Sequence, residues 1–123
     1  MQIVEFDQIR KVFGTKSLNY VGGKNASLGN MISDINGLGI RVPNGFAITT
    51  QFYNQFINDN NIDSMILELD SLTNQDDIEK LSSKIKNRIL DSDFSDEFLV
   101  DLEDNYKKIG GGDIAVRSSA TAE

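Results

Sequence analysis

The sequence has no cysteine and no histidine in 123 residues. Without cysteine there are no disulfides and no thiolate chemistry, a composition that fits a reducing compartment. Without histidine there is no Ser-His triad, no histidine metal site and no phosphohistidine carrier in these residues. Any chemistry carried here uses Lys, Arg, carboxylates or backbone amides. Long apolar runs are also missing: none approaches the roughly 20 residues of a membrane span. The start, Met1-Gln2-Ile3-Val4-Glu5, has neither the basic region nor the apolar core of a signal peptide. The expectation is a soluble, cytoplasmic chain with no membrane partner. Positive charge is scarce too, with 12 Lys+Arg against 19 Asp+Glu and a formal charge of -7. That balance gives no general basic surface for nucleic acid or anionic lipid, so an anionic ligand must be held by a local site.

A hydrophobic content of 39% is enough for a real core in one modest domain or a fragment of a larger one. Ile3 to Phe6 reads as an edge strand or the start of a helix. Gly22-Gly23 reads as a turn, after which Ala26, Leu28, Met31, Ile32 and Ile35 keep helical spacing up to Asn36-Gly37. A strand is expected over Gly45-Phe46-Ala47-Ile48-Thr49, just after Pro43.

Four helical stretches follow. Thr50 is the expected N-cap of a helix with i,i+4 pairs Phe52/Phe56 and Tyr53/Ile57. Asp63 is the expected cap of a short helix bearing Met65, Ile66 and Leu69. Asp76 and Glu79 resemble a capping box before Ile78, Leu81, Ile85 and Ile89, whose spacing marks one buried face. Ser95 is the expected cap of a last helix with Phe98, Leu99, Leu102 and Tyr106 inward, Lys107 and Lys108 at the C-terminal dipole and Gly110 as terminator. Ile114-Ala115-Val116 then reads as a short buried strand that Arg117-Ser118-Ser119 leaves as polar chain. The fold class expected is α/β (α+β), with a helical insert over about residues 51–109 between two strands. A chain that ends at Glu123 directly after a polar motif suggests truncation inside a domain.

Two cations stand out. Gly22-Gly23-Lys24 at a helix start allows close backbone approach, aims amides at a ligand and adds an ammonium for phosphate. It is not a P-loop, because Leu18 and Asn25 stand where glycine and Ser or Thr are required. The plainer reading is a turn followed by a solvated Lys. Arg117, just beyond a strand, can fork across two phosphate oxygens; its plainer reading is a pair with one of the many carboxylates. Ser118, Ser119 and Thr121 can hydrogen-bond phosphate or simply satisfy turn backbone. The acidic groups Asp76-Asp77, Asp91 to Asp96 and Asp101 to Asp104 fit helix caps and solvated faces better than metal ligands. Phe46, Phe52, Tyr53 and Phe56 fit core packing better than adenine stacking.

Three blocks carry a resemblance. Val21-Gly22-Gly23-Lys24-Asn25-Ala26-Ser27-Leu28-Gly29-Asn30-Met31-Ile32, Val42-Pro43-Asn44-Gly45-Phe46-Ala47-Ile48-Thr49-Thr50, and Ala115-Val116-Arg117-Ser118-Ser119-Ala120-Thr121-Ala122-Glu123 occur in that order. Together they resemble the family of phosphoenolpyruvate synthases and pyruvate phosphate dikinases. The resemblance spans about residues 20–123 and leaves the first 20 without a role. Asn25-Ala26-Ser27 and Arg117-Ser118-Ser119-Ala120 are similar to the synthase branch; the dikinase branch usually has Gly-Ala-Asn and Arg-Ser-Gly-Ala there. The last block is also similar to rifamycin phosphotransferases.

The resemblance implies that residues 1–123 are the N-terminal part of an ATP-grasp nucleotide-binding domain. It implies ATP phosphate contacts from Lys24 and Arg117, with Gly22, Gly23 and Ser118 in support. It further implies Mg²⁺ held by ligands outside this segment, and a phosphorylated His and a pyruvate site in other domains. The complete enzymes convert ATP, pyruvate and water to phosphoenolpyruvate, AMP and phosphate through that His. The isolated segment is then expected to be inactive. The competing reading is a non-catalytic module that binds a regulatory nucleotide or a partner.

Overall fold

A computed structural model describes residues 1–35 and 37–122. The chain is mostly helical with one small sheet. Its elements are β1 (Ile3–Glu5), a 3-10 turn at Phe6–Gln8, α1 (Ile9–Phe13), a second 3-10 turn at Gly14–Lys16, α2 (Ser17–Ile35), β2 (Phe46–Ile48), α3 (Thr50–Asp59), α4 (Asp63–Ser71), α5 (Gln75–Asp91) and α6 (Asp96–Lys108). They fall into two compact units, residues 1–52 with 96–123 and residues 53–95.

In the first unit β1 and β2 pair antiparallel with Val4 opposite Ala47. The alternation of a strand puts these two on one face, and both are buried with Ile9, Val21 and Ala26. The N-terminal residues, silent in the family blocks, thus supply half of the sheet and the fully buried Ile9. Ile3 to Phe6 turns out to be both of the alternatives the sequence left open, a strand and then a helical turn. Phe6 closes the corner by donating its amide to the Gly45 carbonyl at 2.9 Å. Gly29 lets α1 lie against α2: a Cβ there would stand 2.7 Å from Ile9 Cβ and 3.2 Å from the Phe6 carbonyl oxygen. Phe13 and Tyr20 stack with ring centroids 4.5 Å apart and pack, partly buried, against the buried cluster.

Helix α6 belongs to this unit and packs on β1. Phe98 is its buried anchor and stacks on Phe52 at 3.8 Å between centroids. Lys108 Nζ reaches Glu5 Oε1 at 3.1 Å across the same contact. The helix stops as glycine predicts, with the Gly110 amide on the Lys107 carbonyl and the Gly111 amide on the Tyr106 carbonyl, the paired bonds of a Schellman ending.

In the second unit α4 packs against α5. Ile62 and Leu81 are buried, and Phe56 meets Phe94 with centroids 5.4 Å apart. Arg88 Nε donates to the Asn60 carbonyl at 3.0 Å. Residues 78–89 are helical throughout, as their period required, although Ile89 at the far end is exposed.

Several capping expectations are corrected. The cap of α3 is Thr49, whose Oγ1 accepts the Phe52 amide; Thr50 Oγ1 donates instead to the Asn19 carbonyl. Asn74 caps α5, accepting from the Asp76 and Asp77 amides at 2.9 and 3.3 Å, so Asp76 is a first-turn acid and not the cap. Asp63 likewise sits inside the first turn of α4 after Ile62. For α3 and α5 the capping side chain lies one or two residues before the expected one, because neighbouring polar residues could each serve; Ile62 before α4 makes no side-chain cap bond.

The larger correction concerns Ile114-Ala115-Val116. The expected buried strand is absent: residues 113–120 adopt no regular structure, and Ile114 and Val116 are 49% and 87% exposed. A strand needs a neighbour to take its amides and carbonyls. Among the described residues the only sheet is β1–β2, and nothing adjoins this segment as a strand.

Candidate functional site

The site is built on a break in α2. The helical run from Ser17 is interrupted at Gly22, which has φ 75° and ψ 169°, and resumes towards Ile35. That conformation is open almost only to glycine. The break is clamped by residues far along the chain. Gly23 donates its amide to the Ala120 carbonyl at 3.1 Å. Ser119 Oγ donates to the Val21 carbonyl at 2.8 Å and accepts the Asn25 amide at 3.4 Å. A Cβ at Gly22 would collide with Ser119 Oγ and stand 2.7 Å from Ser119 C and 2.9 Å from Ala120 N. The first and last sequence blocks are therefore in direct contact.

An open groove of about 2310 Å³ lies beside this clamp, within the first unit. Lys24 and Arg117 both line it, as do Gly23 and Ser118. Arg10 and Asp34 on its wall are bonded to each other, Arg10 Nη1 to Asp34 Oδ1. The exposed side chains of Lys24 and Arg117 thus bring two cations, distant in sequence, to one concave surface. Helix α6 contributes Leu99, Leu102 and Tyr106 to the lining. Leu99, expected inward, is exposed and lines the groove, while its neighbour Phe98 is the buried one.

The structure also revises how the glycines act. The amides at the start of the second helical run were expected to aim at a ligand. Those of Gly23 and Asn25 are instead taken by Ala120 and Ser119. Gly22 serves by the absence of a side chain, giving Ser119 room to approach. Ser119 follows the plainer of its two sequence readings and satisfies backbone, but the backbone belongs to a segment on the far side of the chain. No local signal in Arg117-Ser118-Ser119 shows that. Among the described residues there is no group of three or more His, Cys, Asp or Glu able to hold a metal ion. No described helix is long and apolar enough to cross a membrane.

Residues 18–123 match the family described as pyruvate phosphate dikinase, AMP/ATP-binding domain. The chain belongs to that family. It is also similar to curated phosphoenolpyruvate synthases. The Escherichia coli K12 enzyme is 40% identical over 117 residues, which is 89% of this chain and 15% of that protein. The Neisseria meningitidis enzyme is 37% identical over 130 residues, 98% of this chain and 16% of that protein. The Pseudomonas aeruginosa enzyme is 35% identical over 129 residues, again 98% and 16%. The chain thus spans about one-sixth of the length of these relatives. The two matches that cover 98% of the chain take in α1 and most or all of β1, whereas the family match begins at residue 18 and takes in both sides of the clamp.

Proposed function

We propose that the chain is the N-terminal part of the ATP-binding domain of a phosphoenolpyruvate synthase, and that Lys24 and Arg117 hold ATP phosphates. The observation that carries this reading is the clamp at Gly22, which joins the two cation-bearing blocks on one groove in a member of an ATP-binding family. Phosphoryl transfer depends on holding the phosphates in place and on stabilising charge spread over their oxygens. An ammonium and a guanidinium on one wall serve that purpose, the guanidinium by forking across two oxygens. Ser118, exposed beside Arg117, is a further donor to phosphate; Gly22 and Gly23 support the site through the clamp.

An ATP-grasp architecture, of which residues 1–123 form the N-terminal part, belongs to this proposal, as do the passage of the phosphoryl group through a His and the use of pyruvate and water, which fall to other domains. So does Mg²⁺, whose ligands would come from outside this segment, since the described residues gather no acidic cluster to fit it. A cytoplasmic location goes with the same reading.

The test is labelled phosphoryl transfer from ATP to the complete gene product, compared with exchange between phosphoenolpyruvate and pyruvate. Arg117→Ala or Lys24→Ala should slow the first by about 10²-fold to 10³-fold, as for loss of one preorganised donor, and spare the second. Equal loss of both would make these residues structural.

A further inference from the structure

The break in α2 leaves helix-end groups that need partners. Val21 ends one helical run, and its carbonyl, outside the ladder, accepts from Asn25 Nδ2 at 3.0 Å with a second lone pair still to fill, while Gly23 and Asn25 open the next run with amides to satisfy. One side chain from the far end of the chain reaches both runs, while the Gly23 amide goes to the Ala120 carbonyl. Ser119 Oγ donates its single proton to the Val21 carbonyl at 2.8 Å and uses a lone pair to accept the Asn25 amide at 3.4 Å. Alanine can do neither.

The two cations lie next to these bonds. Lys24 stands between Gly23 and Asn25, whose amides are both held by residues 119 and 120. Arg117 stands two residues before Ser119, in exposed chain without regular structure. Nothing in a sheet fixes it, so the nearest downstream anchor is the Ser119–Ala120 clamp.

We infer that Ser119 is a positioning residue that fixes Arg117 beside Lys24 by bridging the two ends of the α2 break. The inference rests on the proposed phosphate role of Lys24 and Arg117, and adds a residue that touches no phosphate. Its hydroxyl acts on ATP only through Arg117.

The test is a double-mutant cycle in the complete protein, reading kcat/KM for ATP. Ser119→Ala should lower it about 10-fold, the order of one or two side-chain hydrogen bonds. In an Arg117→Ala background the same change should cost less than about 2-fold, because the residue it acts through is gone. Ser119→Thr, which keeps the hydroxyl, should recover most of the loss. If Ser119→Ala does not fold, Ser119→Cys carries the same comparison with a weaker donor. Where Arg117→Ala by itself impairs transfer, a full 10-fold loss persisting in that background, or no loss from Ser119→Ala in the otherwise unchanged protein, overturns the positioning role alone. Unimpaired transfer in Arg117→Ala overturns the phosphate reading, and the positioning role with it.

Discussion

Gly22→Ala tests the clamp without touching a charge. The residue holds φ 75° and ψ 169°, a region that costs a residue with a Cβ on the order of 1–3 kcal/mol. The added methyl also meets Ser119 and Ala120, at 2.7 Å from one backbone carbon and 2.9 Å from one backbone nitrogen. Backbone cannot rotate aside as a flexible side chain can, so residues 119–120 must lift away. Lifting breaks the Gly23–Ala120 bond and both bonds of Ser119. At about 1 kcal/mol each these sum to about 3 kcal/mol. Together with residual strain the expected loss is about 4 kcal/mol, a large share of the 5–15 kcal/mol typical of a domain. Urea unfolding of the 123-residue chain followed by circular dichroism measures it, and hydrogen exchange reports the Gly23 amide directly. Gly112→Ala is the control, since a Cβ there meets nothing within 4 Å and the backbone is not in the left-handed region. An unfolding free energy within about 0.5 kcal/mol of the parent, with Gly23 still protected, would refute the clamp.

Other outcomes follow from the same geometry. Asn74→Ala removes the acceptor of two α5 amides and should cost about 1 kcal/mol of unfolding free energy, readable by the same denaturation; no change would mean water caps the helix equally well. On α6, the Lys107 ammonium 2.7 Å away holds the Glu103 carboxyl below the usual carboxylate range. A depressed carboxylate stabilises above its unfolded pKa and loses that effect as pH falls through the folded one, so an NMR titration should show a Glu103 midpoint that rises in Lys107→Met. An unchanged midpoint would mean the pair does not persist in solution. Mg-ATP should bind the 123-residue chain weakly or not at all in calorimetry, because the groove is open on one side and a net charge of -7 repels the nucleotide. Micromolar binding abolished by Lys24→Ala would instead favour a self-sufficient nucleotide module.

Local chemistry was legible in the sequence wherever neighbours along the chain decide the outcome. The helical period of Ile78, Leu81 and Ile85, the glycine stop after Lys108 and the strand at Phe46–Ile48 all appear where pattern placed them. The resemblance of three short blocks likewise pointed to an ATP-binding family, since Gly-Gly-Lys and Val-Arg-Ser are contiguous motifs. What pattern misjudged was Ile114-Ala115-Val116: apolar content favours a strand, but strand formation depends on a partner that no local window contains.

Only the tertiary structure decided that Gly22 and Ser119 meet. Sequence shows a glycine pair suited to ligand approach and a serine suited to a turn, and each has a sufficient local explanation. Their contact depends on how α6 returns the chain to α2, through the Phe98 anchor and the turn at Gly110. Hydrogen bonds between residues so far apart are set by that return path. The sequence by itself offered the candidates for holding phosphate, and the fold determined that the Gly23 amide, one of those expected to face a ligand, is already bonded within the chain.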